Sequence, residues 1–287
     1  MDETRDLSVI HLVWLPYGIE HFKKFVNSYV DHAASYPHEL IIAFNGTAFH
    51  HLDEPANYIE YLKTKNVSSY KTIYFDGGQD IEIYRKAAKQ LRTEYVLFLN
   101  SYSEILADNW LLKYVQNFDK SVGLIAATAS LQSYYSSVFQ KNTRTWETKK
   151  GLIYNFTKFK LFFKAYFYWR FLFKPFPNPH TRSNAFLVRR KEFLAMRTGA
   201  ITSKFRAYLF ENGRQSLTNY YLKLGMKVLV VDKNGNTFEP GKWKLSLTFW
   251  ISKQENLLVS DNQAKLYNEA DTAEKISMTK LAWGNDE

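Results

Sequence analysis

Residues able to do chemistry stand at a few places in this chain, each at the end or the start of an apolar run. Pro16-Tyr17, Asn45-Gly46 and Asp76-Gly77-Gly78 follow three such runs, with Asp80 close behind the third. Asn100-Ser101-Tyr102-Ser103 follows a fourth, and Asn178-Pro-His-Thr-Arg-Ser-Asn184 precedes a fifth. Amides, carboxylates and hydroxyls so placed bind polar ligands, and they equally close turns; for Asn45-Gly46 and Asp76-Gly77 the turn role is the stronger. His180 and Arg182 suit ligand hydroxyls or an anion, or simply a polar surface loop. Glu211 opens what reads as a helical stretch. A carboxylate there accepts a proton from a bound hydroxyl, or merely complements the helix dipole.

What is missing narrows the chemistry. The chain has no cysteine, which excludes disulfides, thiolate metal sites and a cysteine nucleophile. His50-His51 are adjacent in an expected loop, His32 and His38 lack a partner at ligand spacing, and neither His-Glu-x-x-His nor a phosphate loop occurs. No serine sits in a nucleophile elbow. No structural metal site is expected.

A formal charge of +10 raises the question of nucleic acid, but the charge is confined. Between Glu147 and Glu192 there is no acidic residue and there are eleven cations, which account for the whole excess. The rest of the chain is near neutral, so a general polyanion-binding role is the weakest reading. A hydrophobic fraction of 46% excludes wholesale disorder. Met1 to Asp6 do not form a basic leader before an apolar stretch, and no run of about eighteen apolar residues follows. Neither a signal peptide nor a spanning helix is expected, and a cytoplasmic location, peripheral on the inner membrane face if membrane-bound, fits.

The elements that must position these residues alternate. Leu7 to Trp14, Glu39 to Phe44, Thr72 to Phe75, Tyr95 to Leu99 and Val122 to Ala127 read as strands. Ile19 to Ala34, Pro55 to Lys65 and Asp80 to Leu91 read as the helices between them. Such alternation predicts an α/β fold with a mostly parallel sheet. Ligands then bind beyond the carboxyl ends of the strands, which nominates Tyr17, Asn45, Asp76 and Asn100 to Ser103 as one mouth. Later, Asn184 to Arg189 and Lys227 to Val231 read as strands. Between these two lies a helix over Arg214 to Leu224, ended by Gly225.

Taken in order, these elements resemble the GT-A (Rossmann-like) fold of the family 2 glycosyltransferases and their relatives in bacterial surface polysaccharide synthesis. The resemblance covers about residues 7–235, the nucleotide-sugar and acceptor core; 236–287 would be a carboxyl-terminal segment packed on it. It rests on Phe44-Asn45-Gly46, on Tyr95-Val-Leu-Phe-Leu-Asn-Ser-Tyr-Ser-Glu-Ile-Leu, on Phe186-Leu-Val-Arg-Arg190, on Phe210-Glu-Asn-Gly-Arg-Gln-Ser-Leu-Thr218 and on Gly225-Met-Lys-Val-Leu-Val-Val231.

The resemblance implies a hexosyltransferase that uses a nucleoside diphosphate sugar, UDP-linked by expectation, to extend a polysaccharide or lipid-linked glycan. It places Pro16, Tyr17, Asn45, Asp76, Asp80, Asn100, Ser101 and Ser103 on the donor, and His180, Arg182, Arg189 and Arg190 on the acceptor or diphosphate. Glu211 would be the base of an inverting transfer, where the family often has the Asp of a Glu-Asp pair; here the pair is Glu211-Asn212. Asn100-Ser101-Tyr102-Ser103 stands where the family has Asp-x-Asp, whose carboxylates hold a divalent cation. Neutral donors are poor ligands for manganese or magnesium, leaving only Glu104 or Glu211 for a weak site. Metal-independent transfer, with Arg182, Arg189, Arg190 or Lys149 countering the diphosphate, is the expectation; a non-catalytic nucleotide-sugar- or glycan-binding protein is the alternative.

Residues 151–176 interleave aromatic and basic side chains ahead of Pro175-Phe176-Pro177-Asn178-Pro179, and read as a helical insertion reaching to residue 180. Packing against the core, a partner helix or a second subunit comes first for it. Contact with a membrane surface or with acceptor sugars comes next, and stacking on single-stranded nucleic acid last. Asp261 reads as a helix cap more than as an acceptor contact.

Overall fold

The computed structural model describes residues 6–49, 54–137, 160 and 163–285. His50-His51, Lys149 and most of 151–162 lie outside them. Eight strands make the central sheet: β1 (Leu7–Trp14), β2 (Glu39–Asn45), β3 (Lys71–Phe75), β4 (Tyr95–Leu99), β6 (Val122–Ala126), β9 (Ala185–Arg189), β10 (Lys227–Val231) and β11 (Thr237–Phe238). Their order is β11-β10-β6-β9-β4-β1-β2-β3. β1 to β4 are mutually parallel, as are β6 and β10; β9 runs against both β4 and β6. Two small ladders flank the sheet, β5 (Glu104–Ile105) with β12 (Val259–Ser260) and β7 (Ala129–Ser130) with β8 (His180–Thr181).

The strands are apolar on both faces because both are covered by helices. In β4, Tyr95, Leu97 and Leu99 join one core layer while Val96 and Phe98 join the other. Helices Ile19–Asp31, Glu54–Thr64 and Trp110–Val115 cover the first layer. Asp80–Gln90, Arg190–Ala195 and Leu217–Lys223 cover the second, with the stretch from Trp243 to Trp283 adding Trp243, Phe249, Trp250, Tyr267 and Trp283. At Gly123 of β6 a Cβ would stand 2.2 Å from the Tyr221 ring, so only glycine lets that helix pack so closely.

The polar stretch around residue 211 folds differently from its reading. The helix expected over Arg214 to Leu224 begins at Leu217, where Ser216 caps the Asn219 amide. A further helix, Lys204–Asn212, precedes it, capped by Ser203. Glu211 therefore lies in the last turn of a helix and not at the start of one, the unfavourable end of the macrodipole for a carboxylate.

Candidate active site at the carboxyl edge of the sheet

Parallel strands bring their carboxyl ends to one edge. Tyr17 follows β1, Asn45 ends β2, Asp76 follows β3 and Asn100 follows β4. Because β9 is antiparallel, its beginning reaches that same edge, and the Asn100 amide donates to the Asn184 carbonyl at 2.9 Å. β3 and β4 are three strand intervals apart, about 14 Å, a span that suits an elongated ligand.

Glu211 sits at the β9 end of this edge. Ser183 Oγ donates toward its carboxylate at 3.5 Å. Burial raises the Glu211 pKa; the Arg182 charge and the Ser183 main-chain amide oppose the shift, while Asp261 adds to it. Arg182 is 14% exposed, and its guanidinium lies 2.8 Å from Asp261 and 4.2 Å from the centre of the Phe249 ring. Asp261 uses its other oxygen to cap helix Asn262–Glu269, at 3.0 and 2.9 Å from the Gln263 and Ala264 amides. One carboxylate thus holds both the cap and the cation beside Glu211. His180 is buried, bonded through Nδ1 to the Asn178 carbonyl, and its pKa is lowered to about 4 by burial, so at neutral pH it is an uncharged ring.

The segment Asn100 to Ser103 is a tight polar turn. Asn100 Oδ1 accepts from the Tyr102 amide at 3.0 Å and from Ser103 Oγ at 3.1 Å. Ser101 Oγ accepts from the Trp14 amide at 3.0 Å, tying the end of β4 to the end of β1. Ser103 is wholly buried, so as a donor contact it is corrected to a structural residue. Glu104 pairs with Lys265 of helix Asn262–Glu269. Among the described residues no three His, Asp or Glu side chains gather. The donor set here, two engaged serines, an amide closing a turn and a carboxylate committed to Lys265, does not fit a hard divalent cation.

At the β2–β3 end, Asn45 is wholly buried; its Nδ2 donates to the Gly78 carbonyl at 3.0 Å. Asp76 is exposed and accepts from Thr47 Oγ1 at 3.0 Å. Gly46 has φ +92° and a Cβ there would stand 3.0 Å from the Trp14 ring and 3.1 Å from Pro16, so the turn role is real and Pro16 serves it. Tyr17, half exposed, stands 5.0 Å from the Tyr102 ring, which lies 4.5 Å from His21. Asp80 heads its helix with its charge felt at Tyr84 and Tyr102. Several buried polar atoms around this edge lack a protein partner: Asn45 Oδ1, the Tyr84 hydroxyl, Arg182 Nη1, Asn184 Nδ2 and Asn212 Oδ1. Buried groups without a partner cost stability, and similar atoms occur elsewhere in the protein, among them Glu192 Oε2 and the Tyr221 hydroxyl.

Arg189 and Arg190 are elsewhere. Arg189 pairs in register with Tyr95 at the start of β4, some four residues or about 13 Å from the mouth. Its guanidinium donates to the Val122 and Asp119 carbonyls, and Arg190 donates to those of Thr93 and Arg92. Both are corrected to ties between strand beginnings. Two concavities, about 880 and 530 Å³, open at that amino edge. Of their cations, Lys71 pairs with Glu39 and Arg189 with Glu192 and main chain, while Arg92 and Lys120 also line them. Among the described residues the cations near the mouth include Arg182, beside Asp261 and Glu211, Lys265, paired with Glu104, and Lys204, whose charge acts on Asp80; residue type alone singles out neither lysine.

No protein-family model matches this chain, and no curated protein sequence matches it. Solved structures do. GalNAc-T7, in a crystal structure with UDP, GalNAc and Mn2+, aligns over 96% of this chain and 52% of its own at 12% identity and a TM-score of 0.51. The mannosyltransferase PcManGT from Pyrobaculum calidifontis, in complex with GDP-Man and Mn2+, aligns over 98% and 70% at 10% identity and a TM-score of 0.48. TarS from S. aureus, in complex with UDP, aligns over 42% and 34% at 18% identity and a TM-score of 0.32. The chain thus spans about half of the GalNAc-T7 structure and about a third of the TarS one. With its mostly parallel eight-stranded sheet between helices, the chain has the GT-A fold.

Proposed function

We propose that this GT-A chain is a glycosyltransferase, moving a sugar from a nucleoside diphosphate donor, UDP-linked by preference, to a hydroxyl of a glycan or lipid-linked acceptor. The observation that carries the reading is Glu211, half-buried beside Ser183 and Arg182 at the edge where strand tips converge. In this reading the acceptor oxygen attacks the anomeric carbon and its proton passes to Glu211. The bond to the diphosphate oxygen breaks, the electron pair leaves with the diphosphate, and the configuration inverts. Arg182 and Lys265, each oriented by a carboxylate, counter the departing charge without a divalent ion. Asp76 and Asp80 serve the nucleoside end, with buried Asn45 holding the turn behind them, and Tyr17 with Tyr102 offers it ring faces. His180 stays uncharged behind Arg182, a structural neighbour.

A second reading is favoured by the turn at Asn100 to Ser103, whose groups are spent on one another: a nucleotide-sugar-binding protein without turnover. Calorimetry and a transfer assay over UDP, GDP, dTDP and CMP sugars, each with manganese or with chelator, separate the two. The transferase turns over with chelator present and loses turnover, with donor binding kept, in Glu211→Gln. Binding with no turnover, unchanged by that substitution, would establish the second reading. Activity abolished by chelator and restored by manganese would refute the metal-independent step.

A further inference from the structure

The helical stretch 163–172 has two unlike faces. Trp169 and Phe173 are buried against Tyr134, Phe205 and Tyr208, so the stretch is anchored to the helix that carries Glu211. On the other side Phe163, Tyr166, Phe167, Tyr168 and Phe171 are between 52% and 64% exposed. Five large rings in nine residues form a contiguous apolar patch of the kind monomeric soluble proteins seldom leave uncovered. Packing against the core, the first expectation for this block, holds for Trp169 and Phe173 and fails for these five.

The charges name the occupant. Lys164 and Arg170 sit among the rings, with Arg170 4.7 Å from the Phe171 centroid and 5.3 Å from that of Tyr166. Arg214 donates to the Arg170 carbonyl, adding a further cation at the border. No acidic residue falls between Glu147 and Glu192. A subunit interface excludes unpaired like charges, whereas rings flanked by cations match the headgroup boundary of an anionic bilayer. We infer that this face docks the protein on an anionic phospholipid surface, with the rings entering the acyl boundary and the cations meeting headgroup phosphates. Because the stretch is anchored to helix Lys204–Asn212, docking holds the carboxyl edge of the sheet near the bilayer. The docking itself is independent of the transferase reading, and vesicle binding is unaffected if no sugar is transferred.

The test is co-sedimentation of the full chain with vesicles of phosphatidylcholine alone or mixed with phosphatidylglycerol. Binding is expected to the mixed vesicles only, weakening as salt rises. Lys164→Glu and Arg170→Glu should each weaken it roughly fivefold or more. Phe167→Ser with Phe171→Ser should weaken it at least about tenfold, with an unchanged melting temperature because both rings are exposed. Absence of binding to anionic vesicles, or equal binding by the ring variant, would overturn the inference. So would a concentration-dependent dimer, or tight single-stranded RNA binding, that the ring variant abolishes.

Discussion

The two edges of the sheet carry arginines of the same type, a few residues apart in sequence, with opposite employment. At the amino edge Arg189 and Arg190 give their donors to main-chain carbonyls, and the polar neighbours there are Glu39 with Lys71 and Arg189 with Glu192. At the carboxyl edge Arg182 meets Asp261 and stands by Glu211, among buried polar atoms that nothing in the protein satisfies. The amino edge ties its arginines to main-chain carbonyls, whereas the carboxyl edge sets Arg182 between the carboxylates of Asp261 and Glu211.

Glu211→Gln probes that difference most sharply. Transfer should fall by about a thousandfold while donor affinity is kept, measured by single-turnover assay and calorimetry. Burial raises the folded-state pKa of Glu211 above its unfolded value. The folded protein therefore favours the protonated form; that stability is present below the ordinary carboxylate range and is lost as pH rises through the raised pKa. The variant should accordingly melt higher than the parent at neutral pH. In the parent, kcat/KM should fall on acidification earlier than an ordinary carboxylate would dictate. A melting point lower at neutral pH would break the comparison.

Arg182→Ala should lower transfer about a hundredfold and also destabilise, since it leaves Asp261 buried beside Glu211 without its cation. Lys265→Met should cost transfer about tenfold and hardly touch melting, because both partners of its ion pair are about a third exposed. Arg189→Ala should behave in reverse, lowering stability by roughly 1–3 kcal/mol in chemical denaturation and leaving kcat unchanged. An equal loss of kcat there would show the edges to be coupled.

Acid stability gives the mildest separation. His11, stacked on Phe25 at 3.6 Å, and His180 are buried uncharged, their pKa values lowered by burial to about 3 and about 4. Their neutral-state stability is complete above the ordinary imidazole range and is lost as pH falls toward those lowered values, about 3 kcal/mol for His180. Denaturation curves from pH 7 to about pH 4 should show that loss, and His11→Phe should reduce it.

Alternating apolar runs and helical spacing were enough to read the strand tips. β1, β4 and β10 fall at their expected residues, and Gly225 follows its helix with φ +71°. Turn chemistry at Asn45-Gly46 was legible for the same local reason. The helix Lys204–Asn212 is not legible in this way, because its apolar and polar residues follow no strong one-sided pattern, and Glu211 ends a helix where the sequence suggests it opens one. Nor does residue type reveal that Ser103 is sealed inside or that Asp261 serves both a cap and Arg182.

Local periodicity by itself determined that this chain makes a mostly parallel sheet with polar residues at the strand tips; that Asn100-Ser101-Tyr102-Ser103 replaces a cation-binding Asp-x-Asp is what the resemblance alone implies. The tertiary structure decided the direction of β9, and with it which arginines reach the mouth. Strand patterning repeats every two residues whichever way the strand runs, so it is blind to polarity. Only long-range pairing with β4 and β6 sets that direction, bringing Arg182 to Glu211 and sending Arg189 and Arg190 to the far edge.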